Sequence, residues 1–148
     1  MTVRAQDIVE EALSWVGTPF AHQQRIKGAG VDCVNFVAEV ARATGATPDV
    51  DFERNYRRRA DGSQMMGEIL RYLKSVESFD DARPGDVIAL CDERLARPDV
   101  VTHLAFFTGA EPYPKMVHAS ERGVRHHRIN IHFRNRIHSV WRVPNLVY

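Results

Sequence analysis

Apolar residues recur at helical spacing over residues 3–16, where Ile8, Val9, Ala12, Leu13 and Val16 form one stripe and Asp7, Glu10 and Glu11 turn away from it. The pattern predicts an amphipathic first helix. Gly17-Thr18-Pro19 is its stop, because a proline disfavours helical backbone in the residue before it. Residues 20–31 carry no period and read as a loop. Val34, Val37, Ala38 and Ala41 restore helical spacing, which predicts a second helix from about Cys33 to a stop at Gly45. Residues 46–62, including Arg57-Arg58-Arg59, read as a surface excursion. Met66, Ile69, Leu70 and Leu73 predict a third helix over 63–74, capped by Asp61 or Ser63, with its methionines as core filler. From Pro84-Gly85-Asp86 onward, short apolar and β-branched runs at 87–91, 101–108, 116–119, 124–131 and 137–143 predict strands. Helices followed by closely connected strands imply an α+β chain, its N-terminal helices packed on a mostly antiparallel sheet of five to six strands.

Composition narrows the partners more than the fold. At 148 residues the chain is expected to be a single domain, 1–148, able to bury its own core. Twenty basic residues against 19 acidic ones give no global field favouring a nucleic acid or an anionic membrane. No apolar run approaches the ~18 residues of a membrane span, and the first residues lack the apolar core of a secretory signal. The expectation is synthesis in the cytoplasm, no membrane span and no nucleic-acid partner. Arg57-Arg58-Arg59 reads either as a solvated cluster or as a phosphate contact. Cys33 and Cys91 sit in no C-x-x-C or Cys/His zinc spacing and read as free thiols, Cys91 as a buried one at a strand end.

Cys33 is the residue with chemistry to offer. A glycine-punctuated loop, Gly28-Ala29-Gly30, delivers it to the first turn of the second helix. Unpaired N–H groups and the positive end of the dipole there favour a thiolate, lowering a pKa that otherwise lies near ~8.5. Asp32 is placed to cap that helix; its carboxylate opposes the thiolate unless it points away. The glycines read equally as a tight turn or as room for substrate. A cysteine nucleophile needs a base and a group that orients the base. His103 lies in a run whose period of two places it with Val101, Ala105 and Phe107. If 103 faces 118, then 108 faces 113, residues 109–112 are the hairpin loop, and His103 and His118 are cross-strand neighbours with Cβ atoms ~5 Å apart. In that register a Cys33–His103–His118 relay is geometrically possible; each histidine taken alone reads as a half-buried strand residue satisfied by backbone or water.

Five pieces carry a resemblance that spans nearly the whole chain: Gly17-Thr18-Pro19-Phe20, Asp32-Cys33-x-x-Phe36, Pro84-Gly85-Asp86, His103-Leu104-Ala105-Phe106-Phe107-x-Gly109 and Val117-His118-Ala119-Ser120. In order and spacing they resemble the NlpC/P60 cysteine peptidases, most of all the short single-domain proteins of phage tails and gene transfer agents. The resemblance implies a papain-like fold and hydrolysis of a peptidoglycan stem-peptide amide, commonly the D-γ-glutamyl to diamino-acid bond. It implies Cys33 as nucleophile, His103 as general base and acid, and His118 as orienter, with no cofactor and no metal. It further implies delivery by a phage tail or similar particle, with tail hub or tip proteins as partners and action at the cell wall. Phe20 stands where the family often has a tyrosine, so it supplies no hydroxyl; His22 or Gln23 can offer a side-chain donor beside the Cys33 amide. The cluster Arg125-His126-His127-Arg128 with His132, Arg134, Arg136 and His138 has no metal-ligand spacing and reads as a basic rim for stem-peptide carboxylates or as a solvated face. Two other readings stay open: an inactive structural subunit of a tail tip, and a Cys–His amidase or acyltransferase acting on a small molecule.

Overall fold

A computed structural model describes residues 2–46, 71–92 and 100–148. The excursion expected over 46–62 falls almost wholly outside them, as do residues 63–70 of the expected third helix. Strand β1 (Val3–Arg4) leads into helix α1 (Ala5–Leu13), and a hairpin of β2 (Arg25–Ile26) and β3 (Gly30–Val31) precedes helix α2 (Cys33–Thr44). Then follow β4 (Lys74–Val76), a 3-10 turn at Phe79–Asp81, β5 (Val87–Cys91), β6 (Val101–Gly109), β7 (Lys115–Ser120), β8 (Gly123–Arg128), helix α3 (Ile131–Arg136), β9 (Ile137–Arg142) and β10 (Leu146–Val147). Six strands form one antiparallel sheet in the order β4-β9-β5-β6-β7-β8, and β1 pairs in parallel with β10.

The α+β reading holds, with specific corrections. The first helix ends at Leu13, so Val16 lies beyond it and is 50% exposed rather than part of the buried stripe. The loop read over 20–31 contains the β2–β3 hairpin, whose turn needs Gly28 at φ +83. Lys74, assigned to the third helix, starts β4, where it pairs with Arg142. Residue 131, given to a strand, starts α3 because the Asn130 side chain accepts the Phe133 N–H at 3.0 Å and caps a helix there.

Both faces of the sheet are covered. Leu104, Phe106, Val117, Ala119 and Val124 pack with α1 and α2 through Ile8, Ala12, Phe36 and Val40. Phe36 meets Phe106 edge-on at 5.7 Å and Trp15 at 6.1 Å, the offset geometry that aromatic quadrupoles favour. On the opposite face Ile88, Leu90, Ala105, Phe107 and Met116 gather under Phe79, Phe133 and Ile137. Pro84-Gly85-Asp86 serves the architecture: Asp86, wholly buried, accepts two hydrogen bonds from Arg142, both at 2.8 Å, which tie the start of β5 to β9.

Candidate active site

The start of α2 is set by Asp32, whose carboxylate accepts the Asn35 N–H at 3.0 Å, while Gly45 closes the helix in the left-handed region at φ 77. Cys33 is therefore the first helical residue, as its spacing predicts. The Asn35 and Phe36 N–H groups bond to Asp32, leaving the Cys33 and Val34 amides to point at the cysteine's own sulfur; the Leu104 amide does the same from β6. These donors favour a thiolate, but burial outweighs them and the Asp32 charge adds to it, so the thiol is pushed up to about 12. The low-pKa thiolate expected from the helix terminus alone is overturned: Asp32 caps the helix from close enough to act on the sulfur.

One cavity of about 670 Å³ is lined by Cys33, Phe20, His103, His118 and His127, with Asp92 and several arginines at its walls. Within it the Nε2 of His103 lies 2.6 Å from the Nδ1 of His118. The two histidines are not directly opposite, as the expected hairpin had them. Phe106 faces Val117 and Phe107 faces Met116, two positions away from the expected pairing: the loop is 110–114 rather than 109–112, closed by Gly109 opposite Lys115, which moves the register by three, and the irregularity between Phe107 and Gly109 takes one position back. A shift of two preserves the side-chain period, so both rings keep to one face as diagonal neighbours. A second irregularity lies at Thr102: Leu90 faces His103 but Cys91 faces Val101, which sends Val101 into the core beneath α2 and away from the face it was expected to share with His103.

His127 was not foreseen as part of the site. Its Nε2 lies 2.7 Å from the Nε2 of His118, and its Nδ1 donates to the Arg128 carbonyl at 2.8 Å. The signal was present in Ser120-Glu121-Arg122-Gly123. Read as a two-residue hairpin turn closed by a glycine at φ +102, it sets Ser120 opposite Gly123 and hence Met116 opposite His127, on the face of His118.

Burial lowers His103 to about 4, with Arg136 acting in the same direction and Asp92 against it. Burial also lowers His118, to about 2, aided by its histidine neighbours. Burial therefore favours the thiol form of Cys33 and the neutral rings of His103 and His118.

The remaining expected residues fall as follows. Phe20 lines the cavity and bridges to Val31. His22 and Gln23 surround Asp32 instead: the Gln23 N–H donates to its carboxylate at 2.6 Å and His22 Nδ1 stands 3.9 Å from it. None of these three is among the residues lining the cavity. Gly28 belongs to the β2–β3 turn, as the tight-turn reading has it, whereas Gly30 opens β3 opposite Ile26, where a Cβ would meet Gln24 and Ala21. Arg122, Arg125, Arg128 and Arg136 line the cavity, Arg136 also donating to the Cys91 carbonyl at 2.7 Å. Cys33 and Cys91 are both buried, and neither is in a disulfide. Among the described residues no group of side chains is arranged to hold a metal ion, and no helix is long and apolar enough to cross a membrane.

No family model and no curated protein matches the chain. Among solved structures it is similar to an NLP/P60-family lipoprotein-like protein of Staphylococcus aureus subsp. aureus Mu50, with TM-score 0.67 and 18% identity over 94% of this chain and 41% of that one. NlpC2 of Trichomonas vaginalis gives TM-score 0.69 and 18% identity over 94% of this chain and 46% of that one. The NlpC/p60 domain of the peptidoglycan hydrolase SagA gives 0.62 and 17%, over 92% of this chain and 96% of that domain. The chain spans less than half the length of the first two and nearly all of the third. At such identities the likeness is one of architecture: the chain has the α+β fold of the NlpC/P60 proteins.

Proposed function

We propose that this chain is a cysteine peptidase that cleaves a peptidoglycan stem-peptide amide, the D-γ-glutamyl to diamino-acid bond being the first candidate. The observation that carries this reading is the cavity shared by Cys33 at the start of α2 and the hydrogen-bonded His103–His118 pair, in a fold shared with a domain named as that of a peptidoglycan hydrolase. Cys33 is the nucleophile, His103 the general base and later acid, and His118 the group that orients His103.

Because thiol and imidazole rest neutral, proton transfer from Sγ to His103 accompanies attack on the carbonyl rather than preceding it. The S–H bond breaks as the N–H and S–C bonds form, and the carbonyl π electrons move to oxygen. The Cys33 and Val34 amides at the helix start are placed to bond the oxyanion. Asp92, which favours the charged form of His103, stabilises the transient imidazolium. The imidazolium then protonates the leaving amine, and water activated by the same ring releases the acyl group. The arginines of the cavity wall supply positive charge for the carboxylates of an acidic stem peptide. Phe20 closes the cavity as an apolar wall in place of a hydroxyl.

Delivery by a phage tail or a similar particle, with tail hub or tip proteins as partners, is the setting that the sequence resemblance supports. The test is incubation with purified muropeptides and mass spectrometry of the products. Two fragments separated at the D-γ-glutamyl bond are expected; intact muropeptides alongside turnover of a small amide would replace this reading with the small-molecule amidase.

The buried, protonated state of Cys33 and the missing hydroxyl at Phe20 favour a second reading, a non-catalytic tail subunit. Stable co-assembly with tail hub proteins together with no muropeptide cleavage would support it.

A further inference from the structure

The three histidines form an unbroken hydrogen-bonded line across β6, β7 and β8, and its outer end is fixed by a group with only one possible role. A carbonyl oxygen can only accept, so His127 must carry its proton on Nδ1, which donates to the Arg128 carbonyl at 2.8 Å. A neutral His127 then presents a lone pair at Nε2, and the Nε2 of His118, 2.7 Å away, must donate to it. That leaves the Nδ1 of His118 as an acceptor for the Nε2–H of His103 at 2.6 Å. The proton of His103 being on Nε2, its Nδ1 is bare. Phe133 packs against the middle and outer rings, its centroid 5.8 Å from His118 and 5.1 Å from His127.

We propose that His127 is a positioning residue: anchored by the Arg128 carbonyl, it fixes the tautomers of His118 and His103 and so leaves Nδ1 of His103 unprotonated to take the proton of Cys33. This rests on the peptidase reading of Cys33 and His103, and adds to it a third imidazole set behind His118 in the hydrogen-bonded line. The role is the one a carboxylate performs behind many functional histidines, here given to a backbone carbonyl two imidazoles away. Without His127 the buried Nε2–H of His118 loses its acceptor, the proton of His118 moves to Nδ1 where His103 Nε2 accepts it, and His103, then protonated on Nδ1, cannot act as a base.

The experiment labels the histidines of the full chain with 15N and reads two-bond 1H–15N couplings at pH 7.5. His103 and His118 are expected as Nε2–H tautomers and His127 as the Nδ1–H tautomer; a His103 protonated on Nδ1 overturns the proposal. His127→Phe keeps a ring against Phe133 but removes the acceptor. It is expected to turn His103 largely to the Nδ1–H tautomer and to lower kcat by about 10- to 100-fold, with KM changed less than about twofold. His127→Gln, which restores an acceptor oxygen, should recover part of the loss. A His127→Phe protein with unchanged His103 tautomer and unchanged kcat refutes it. The couplings are read on the resting protein, so a wild type that cleaves no stem peptide yet shows the stated tautomers keeps the relay and removes only the peptidase reading.

Discussion

Asp32→Asn sets two consequences of one side chain against each other. The carboxylate is 3% exposed and accepts two backbone N–H groups, from Asn35 at 3.0 Å and from Gln23 at 2.6 Å. An amide has one acceptor oxygen, so in the variant one of those N–H groups faces an NH2 donor. A buried N–H left without its acceptor costs about 1–3 kcal/mol, which lowers the urea midpoint. The same change removes the Asp32 charge, the cause that follows burial in holding the Cys33 thiol up. A thiol at about 12 instead of 9.0 carries ~1000-fold less thiolate below pH 9, since each pKa unit is tenfold. Relief from an adjacent like charge returns about tenfold of that or more. The assay is the iodoacetamide alkylation rate of Cys33 between pH 7.5 and 9, followed by peptide mapping in buffer without denaturant, with circular dichroism to show that the variant remains folded. The wild type is expected to react far more slowly than free cysteine, and Asp32→Asn about ten times faster than wild type despite its lower stability. A wild-type Cys33 that alkylates as fast as free cysteine, or a folded variant with no gain in rate, refutes the reasoning.

Other consequences follow from the same structure. His103 binds its proton at about 4 when folded against 6.5 when unfolded, so the unfolded chain takes up more protons and stability falls as pH drops from 6.5 toward 4. The loss from this residue reaches up to about 3 kcal/mol near pH 4; urea titrations at pH 7.5, 6.0 and 4.5 should show it, with a shallower fall in His103→Gln. Arg142→Gln removes the counter-charge of the buried Asp86 carboxylate, which keeps the Arg83 N–H, and should cost about 3 kcal/mol by urea unfolding; a loss under 1 kcal/mol would show that the ion pair is not what ties β5 to β9. Gly123→Ala puts a Cβ 2.8 Å from the Thr18 carbonyl oxygen at a φ of +102, and should lower stability by about 1–3 kcal/mol in a thermal melt.

The parts of the fold written in local pattern were legible. Helix α2, with Asp32 before it and Gly45 after it, and β5, bounded by a Pro-Gly turn, needed no information from elsewhere in the chain. The parallel pairing of β1 with β10 was not legible, because it joins Val3 to Leu146 through strands two residues long. Lys74–Val76 carries no strand signal of its own; it is extended because β9 offers it a partner. At the site, period two put His103 and His118 on one face even though the register was displaced by two, since parity survives that error. His127 was read with its basic neighbours, as a rim or a solvated face without metal-ligand spacing, which left unused the strand period that places it beside His118. The protonation of Cys33 was misjudged for a different reason. The helix terminus is a local feature, whereas burial of the sulfur is a product of tertiary packing and proved the larger effect.

The central claim is that Cys33 makes the bond-breaking attack with His103 as its base. Its most direct test is kcat/KM for cleavage of a defined stem-peptide muropeptide by the wild type and by Cys33→Ala, each shown to be folded. Cys33→Ala should lower kcat/KM by at least about 10⁴, to the background of the substrate alone. A Cys33→Ala protein that cleaves the muropeptide at the wild-type rate would contradict the account.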